Sequence, residues 1–232
     1  MNWRNNLAGR IARRAVQPLR RGYHRRRNPS LDLASIPKRL GRQPTMVLEI
    51  GANNGNDSVR LLEAFPSAAL HCFEPDPRAI ALLEPRLSGT RARLHRSAVG
   101  ATDGTLTFHQ SSGAPPGEED AYPEGWHYSG SIRVPKHHLI EFPWCRFDNE
   151  ITVDCTTLDS WAEHNGIDHV DFVWADVQGA ERDLIAGGRN TLARTRLLYT
   201  EYCNRELNEG QKVEFEVTQG QKGPQAANIR AV

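Results

Sequence analysis

The chain has 232 residues, 38% hydrophobic and 25% charged, with a formal net charge of +1 at pH 7. That length fits one large domain plus a small appendage and can bury a sizeable core; the charge balance excludes a nucleic-acid binder acting by overall charge. No apolar run reaches the length of a membrane span, and no apolar signal stretch follows the basic start.

Residues 1–44 read as an arm and linker ending in Pro37 and Pro44. Arg4, Arg10, Arg13, Arg14, Arg20, Arg21, Arg25, Arg26 and Arg27 all precede the first acid, Asp32, which leaves the remainder net acidic. Trp3, Leu7 and Ile11 fall four apart, as on one face of a helix. Three readings stand: a helix in peripheral contact with an anionic membrane surface, an arginine-rich targeting peptide, and a frayed basic arm. Cys72, Cys145, Cys155 and Cys203 show no C-x-x-C or zinc spacing. Free thiols in a reducing cytoplasm are expected, with no metal site.

From residue 45 strands and helices alternate. Met46–Ile50 is a predicted strand, Asp57–Phe65 a helix with Val59, Leu61, Leu62 and Phe65 apolar, Ala69–Phe73 a strand, and Pro77–Leu87 a helix with proline tolerated in its first turn. Arg93–Ala98 is a third strand and Gly104–His109 a fourth. Residues 111–130 read as a long loop carrying Tyr122, Trp126 and Tyr128; a loop of that length in a compact domain is commonly functional or disordered. Ile151–Asp154 is a short strand, Leu158–His164 a helix capped by Thr156 or Thr157, Val170–Ala175 an apolar strand, Ala180–Ala186 a helix stopped at Gly187-Gly188, and Arg196–Glu201 a last parallel strand. Such alternation predicts an α/β fold, a mostly parallel Rossmann-like sheet covered on both faces. Ligands in such sheets sit beyond the carboxyl ends of the strands, where strand order reverses. Glu49, Glu74, Asp176 and Glu201 all stand at or just past such ends.

The stretch Val47-Leu48-Glu49-Ile50-Gly51-Ala52-Asn53-Asn54-Gly55-Asn56-Asp57 carries the most chemistry. An apolar strand ends near an acid, turns through glycines, and starts a helix. The turn lacks the middle glycine of G-x-G-x-x-G, which counts against a pyrophosphate-bearing nicotinamide dinucleotide. Gly51 and Gly55 permit close approach to a ligand. The helix start offers N–H groups to a carboxylate, Glu49 can hold an amino group, and Glu74 can accept both hydroxyls of a ribose. Two acids around a glycine turn suit a nucleoside with a positive centre, of which S-adenosylmethionine is the commonest. In Asp176-Val177-Gln178-Gly179-Ala180-Glu181, Asp176 leaves a strand at the ligand edge as the candidate to orient or deprotonate an acceptor. Glu181 also suits the helix dipole. His127, His137 and His138 are rival bases.

These motifs together resemble the FkbM-type methyltransferases over roughly Val47 to Tyr202: Glu49 to Asn56, Phe73-Glu74-Pro75-Asp76-Pro77, Ser97-Ala98-Val99-Gly100 with Asp103-Gly104, Thr157-Leu158-Asp159, and Asp176 to Glu181. The resemblance implies a class I Rossmann-like fold, S-adenosylmethionine as donor, and an oxygen acceptor on a sugar or natural product. Glu49, Gly51, Asn53, Gly55, Glu74 and Ser97 are then the expected donor-binding residues and Asp176 the catalytic one. Gln178, Glu181, Trp126 and Tyr128 are expected on the acceptor, although Trp126, Tyr128 and Trp144 can equally pack the loop. The family commonly has Lys at position 174, Glu at 178 and Asp at 49, where this chain has Trp174, Gln178 and Glu49; no mechanism here can use that lysine.

Residues 207–232 are of a different kind. Val213, Phe215 and Val217 alternate with Glu214 and Glu216 as in a half-buried strand, and a Gly/Pro turn leads to a second short strand, an expected antiparallel β-hairpin. The segment is similar to the last two strands of a bacterial cold-shock domain, a nucleic-acid binder, and reads as a fusion; the alternatives are a nucleic-acid-binding protein acting through the basic arm and this tail, or an inactive truncated or fused methyltransferase. The stacking aromatics that carry single-strand affinity are absent, so binding to nucleic acid is not expected. Domain boundaries are expected at 1–44, 45–206 and 207–232. About ten residues separate Glu201 from Lys212, too few for a crossover helix with its loops.

Overall fold

A computed structural model describes residues 31–200, Asn208, and the backbone of Val213–Gly220 and Gly223–Ala231. The arginine-rich arm and Glu201 lie outside the described residues. The chain divides into two units, residues 1–35 and 36–232. Of the first, residues 31–35 are described, with the Ser35 N–H donating to the Asp32 carbonyl. The fold that follows is that of the second.

A short helix α1 (Ser35–Leu40) leads into strand β1 (Met46–Ile50), then helix α2 (Asn56–Ala64), β2 (Ala69–Phe73), α3 (Pro77–Leu87) and β3 (Arg93–His95). After an inserted region come helix α5 (Leu158–His164), β7 (Val170–Ala175), two short helices and β8 (Thr195–Thr200). These strands form one sheet, ordered β3-β2-β1-β7-β8, parallel throughout. The chain winds outward from β1 to β3 and then crosses back to lay β7 against the other side of β1. Strand order reverses there, so the crevice lies beyond Ile50 and Ala175. The α/β expectation holds, and the predicted bounds of β1, β2, α3 and β7 match the structure.

Burial explains why β7 reads as a continuous run. All six of its residues are buried, as a central parallel strand covered on both faces requires. Val170, Val173 and Ala175 join Leu48, Ile50, Phe73, Leu158, Trp161 and Leu184 in the main core. Asp171 is the exception within the strand. Its carboxylate accepts from the Thr45 N–H (2.7 Å), the Thr45 hydroxyl (2.9 Å) and the Met46 N–H (3.1 Å), and pairs with the Arg42 guanidinium. Burial opposes its ionisation, but the hydrogen bonds from Thr45, Met46 and Arg42 win and hold it below the usual carboxylate range. It staples the entry of β1 to β7.

The inserted region departs from the predicted pattern. The expected strand Arg93–Ala98 breaks at Arg96-Ser97, and its end becomes β4 (Ala98–Val99) of a second sheet. β5 runs from Gly104 to Ser112 and β6 from Arg146 to Thr156, both longer than predicted. They pair antiparallel, and β4 runs parallel to β6, in the order β4-β6-β5. The extra length sits on exposed, charged positions such as Asp148 and Glu150, where no apolar alternation marks a strand and the cross-strand ladder alone decides. The segment between β5 and β6 is not structureless. It holds a 3-10 turn at Glu119–Ala121, a one-turn helix α4 (His138–Glu141) and buried Trp126 and Cys145. Helix α5 is capped by Thr157, whose hydroxyl accepts from the Ser160 N–H at 3.1 Å. The predicted helix after β7 begins at Glu181 as α6 (Glu181–Gly187) and is followed by α7 (Arg189–Ala193).

The tail forms the expected hairpin. β9 (Val213–Gly220) pairs antiparallel with β10 (Gly223–Ala231), with an irregularity between Ala227 and Arg230. The two make a sheet of their own, so among the described residues β8 stands at the edge of the five-stranded sheet.

Candidate active site

The turn after β1 lies across the end of β2. The N–H groups of Gly51 and Ala52 both donate to the Phe73 carbonyl at 3.0 Å. Gly51, Asn53 and Gly55 have φ of 85°, 47° and 84°, a region that favours glycine and tolerates asparagine. A Cβ on Gly51 would lie 2.0 Å from the Asp176 carbonyl oxygen, and one on Gly55 2.7 Å from Leu83 Cδ1. The turn is squeezed between β7 and α3, and the Asp176 N–H donates to the Ile50 carbonyl at 2.9 Å. Glu74 and Asp176 thus stand just past the carboxyl ends of β2 and β7, on either side of this turn.

Glu74 closes this turn. One oxygen accepts from the Asn53 N–H at 2.7 Å and the other from the Asp76 N–H at 2.8 Å. Its own N–H donates to the His95 carbonyl at 3.0 Å, which places Ser97, two residues further on, at the carboxyl end of β3. Glu49 behaves otherwise. It is 1% exposed and turned under α2, where one oxygen accepts from the Ser58 hydroxyl at 2.5 Å and the Cys72 thiol at 3.2 Å. Burial pushes Glu49 up to about 8 despite the hydrogen bonds from Ser58 and Cys72. Burial likewise pushes Glu74 up to about 7, against the two backbone N–H groups. Glu49, closed under α2 by Ser58 and Cys72, therefore does not face a ligand at the turn. Glu74 lies beside a turn that has no room for a side chain, and that pairing fits the ribose of an adenosyl sulfonium.

The raised Glu49 makes a stability prediction. Unfolded, it ionises near 4.5; folded, it keeps its proton to about 8. Its contribution is therefore intact below the unfolded value and is lost as pH rises through that window, on the order of a few kcal/mol. Urea denaturation across that pH range is expected to show Glu49→Gln gaining on wild type as pH rises; a constant difference would refute neutral burial.

At the other side of the crevice, Asp176 is half-buried and its Oδ1 accepts from the Gln178 amide at 2.6 Å. Gln178 has φ of 50°. Its carbonyl accepts from the Ser131 hydroxyl at 2.8 Å and the Asn208 amide at 2.5 Å. Gln178 is therefore a brace for Asp176, held from two distant segments. Glu181 Oε1 accepts from the Gly179 N–H at 3.2 Å, closing the turn onto α6.

The aromatic loop folds onto the glycine turn. Asn53 Nδ2 donates to the His127 carbonyl at 2.9 Å, and Asn54 Nδ2 to the Tyr128 hydroxyl at 2.8 Å. The Tyr128 ring stacks on His127, with centroids 4.3 Å apart. Trp126 is buried among Tyr122, Tyr128 and Trp144, and its indole N–H donates to the Ser129 hydroxyl at 2.9 Å. Its ring packs the loop, whereas half-buried Tyr128 and His127 stay beside the turn. Burial holds His127 below its usual range, against the pull of Asp76. Of the rival histidines, His138 is buried against Phe142 and Phe147 and His137 is exposed. Sequence reasoning missed Ser58, Cys72, Asn54, Ser131 and Asn208. The paired asparagines in the turn were the one available signal, since asparagine both tolerates positive φ and donates.

Comparison with known proteins identifies the family. The family described as Methyltransferase FkbM domain matches residues 49–231. The 2-O-methyltransferase NoeI of Sinorhizobium fredii is 45% identical over 173 residues, covering 74% of this chain and 69% of that protein. The cold shock protein ScoF of Streptomyces coelicolor is 76% identical over only 25 residues, 11% of this chain and 37% of that protein. Among solved structures, the plantazolicin methyltransferase BpumL in complex with SAH aligns with a TM-score of 0.41 at 10% identity, over 80% of this chain. The chain spans about half of that protein's length, 53%.

Proposed function

The chain belongs to the FkbM methyltransferase family, and from that premise we propose that it transfers a methyl group from S-adenosylmethionine to a hydroxyl oxygen of a small carbohydrate or natural-product acceptor. The observation that carries the reading is a glycine turn that excludes side chains, closed by the buried acid Glu74 and packed directly against Asp176 at the end of β7. The donor, when bound, supplies an electrophilic methyl on a sulfonium. The residues do the rest. Gly51, Asn53 and Gly55 give the donor close backbone contact, and Glu74 and Ser97 take its ribose and base side. Glu49 supports the turn from beneath α2, accepting from Ser58 and Cys72. Asp176, oriented by Gln178, accepts the acceptor's proton as the new bond forms, a role worth about 10²–10⁴-fold. Tyr128 and Glu181 line the acceptor side, and holding the acceptor in line contributes several kcal/mol more. NoeI's name specifies a 2-O-methyltransferase, which supports a hydroxyl oxygen as the acceptor atom.

Calorimetry with S-adenosylmethionine tests the donor site. A cation entering beside Glu74, held up to about 7 by burial, lowers its pKa, so binding releases protons near and below that pH. The enthalpy should then depend on the buffer's ionisation heat, and affinity should rise between about pH 6 and about pH 8. Transfer of labelled methyl to a panel of oligosaccharides tests the acceptor class. A protein that binds no donor at any pH refutes the proposal. Among the described residues no helix is long and apolar enough to cross a membrane. We propose peripheral membrane contact through the arginine-rich arm only as a property separable from catalysis, testable by sedimentation with anionic vesicles.

A further inference from the structure

A second concavity lies at the opposite edge of the sheet from the glycine turn. Its volume is about 440 Å³, and it opens beside the first residues of three neighbouring strands, Met46 of β1, Ala69 of β2 and Arg93 of β3. That size lies within the range of small-ligand sites. Met46, Ala69 and Ile167 give it an apolar floor, and its lining carries two guanidiniums and no carboxylate. Arg91 is preorganised. Its Nε donates to the Ala68 carbonyl at 2.7 Å and its Nη2 to the Phe65 carbonyl at 3.1 Å, which fixes the plane of the group and leaves Nη1 over. Arg93 makes no ion pair or hydrogen bond among the described residues, so its five donors and its charge are uncommitted.

The wall of the cavity has a polar element of its own. His71 is buried, and its Nδ1 lies 2.9 Å from His95 Nε2. The two rings stack at 5.2 Å, and both meet Trp161 edge-on. Burial, with His95 and Arg93 adding to it, holds His71 down to about 4, so this wall is neutral and the positive charge sits on the rim. A cation-rich rim over an apolar floor recognises one ligand class better than others: an anion whose body is uncharged and flat. We propose that this cavity binds a small organic anion, its carboxylate or phosphate held between Arg91 and Arg93 and its apolar body against Met46, Ala69 and Ile167. This site is independent of the methyl-transfer reading, because no residue of the glycine turn or of Asp176 to Glu181 lines it.

Calorimetric titration of the full chain tests it, with benzoate and phenyl phosphate as probes and with benzamide and inorganic phosphate as controls at matched ionic strength. Saturable binding of the two aromatic anions is expected, with benzamide and inorganic phosphate weaker by about tenfold or more. Arg93→Gln should weaken benzoate by a similar factor and Arg93→Lys should retain part of it, with S-adenosylhomocysteine affinity unchanged in both variants. Binding of benzamide as tight as benzoate, or benzoate affinity indifferent to Arg93→Gln, would overturn the anion assignment. Displacement of benzoate by S-adenosylhomocysteine would place the probe at the other edge of the sheet and overturn the site. Inorganic phosphate binding as well as phenyl phosphate would overturn the role of the apolar floor, and no saturable binding of either aromatic anion would overturn the whole proposal.

Discussion

Gly51→Ala is expected to destabilise the protein by about 3 kcal/mol or more and to abolish donor binding. Two independent effects add. At φ of 85° an L residue is strained by roughly 1–2 kcal/mol. The new methyl would also lie 2.0 Å from the Asp176 carbonyl oxygen, a distance that forces β1 and β7 apart where Asp176 N–H bonds Ile50 O. Backbone on both sides leaves no flexible side chain to move away. Chemical denaturation of Gly51→Ala beside Gly41→Ala separates the two. Gly41 has φ of 73° with nothing near a Cβ, so it reports strain alone. Equal losses in the two variants would show that the contact with β7 is not tight, and the crevice geometry would have to be redrawn.

Asp176→Asn is expected to lower turnover by about 10²–10⁴-fold with donor affinity changed little. Asparagine keeps the volume and an oxygen for the Gln178 amide, which donates to Oδ1 at 2.6 Å, but it cannot take a proton. The proposed role therefore puts the loss in kcat and leaves KM for the acceptor near wild type. Gln178→Ala should cost less. Gln178→Glu should recover part of that loss only where the introduced acid is protonated, since a second carboxylate would repel Asp176. Full turnover in Asp176→Asn, on an acceptor that wild type methylates, would move the base to another group. His127 would then come first, because its backbone is fastened to Asn53 and its ring lies beside the turn.

Much of the site is legible because short-range chemistry writes it into adjacent residues. An apolar strand, a glycine that must take positive φ, a second glycine and a helix start lie within ten residues of Glu49, and the structure places them as a turn over the end of β2. The apolar runs of β1, β2 and β7 are equally plain, since a central parallel strand is buried on both faces. Length and partnership are not written locally. β5 and β6 look short in sequence because their outer halves are polar and exposed, and Arg93–Ala98 looks like one strand because nothing local says that two sheets divide it. Glu49 suits a ligand's amino group by its position, yet its carboxyl faces Ser58 and Cys72.

The sequence by itself determined the α/β alternation, the glycine turn, the acids at strand ends and the terminal hairpin, because each depends on backbone conformation or periodicity within a few residues. Only the tertiary structure decided which way those acids point, that Gln178 braces Asp176, that Trp126 packs inward while Tyr128 reaches Asn54, and that a cavity with two arginines opens at the far edge of the sheet. Those contacts join segments tens of residues apart. They exist only once burial has been shared out among strands, helices and the inserted loop.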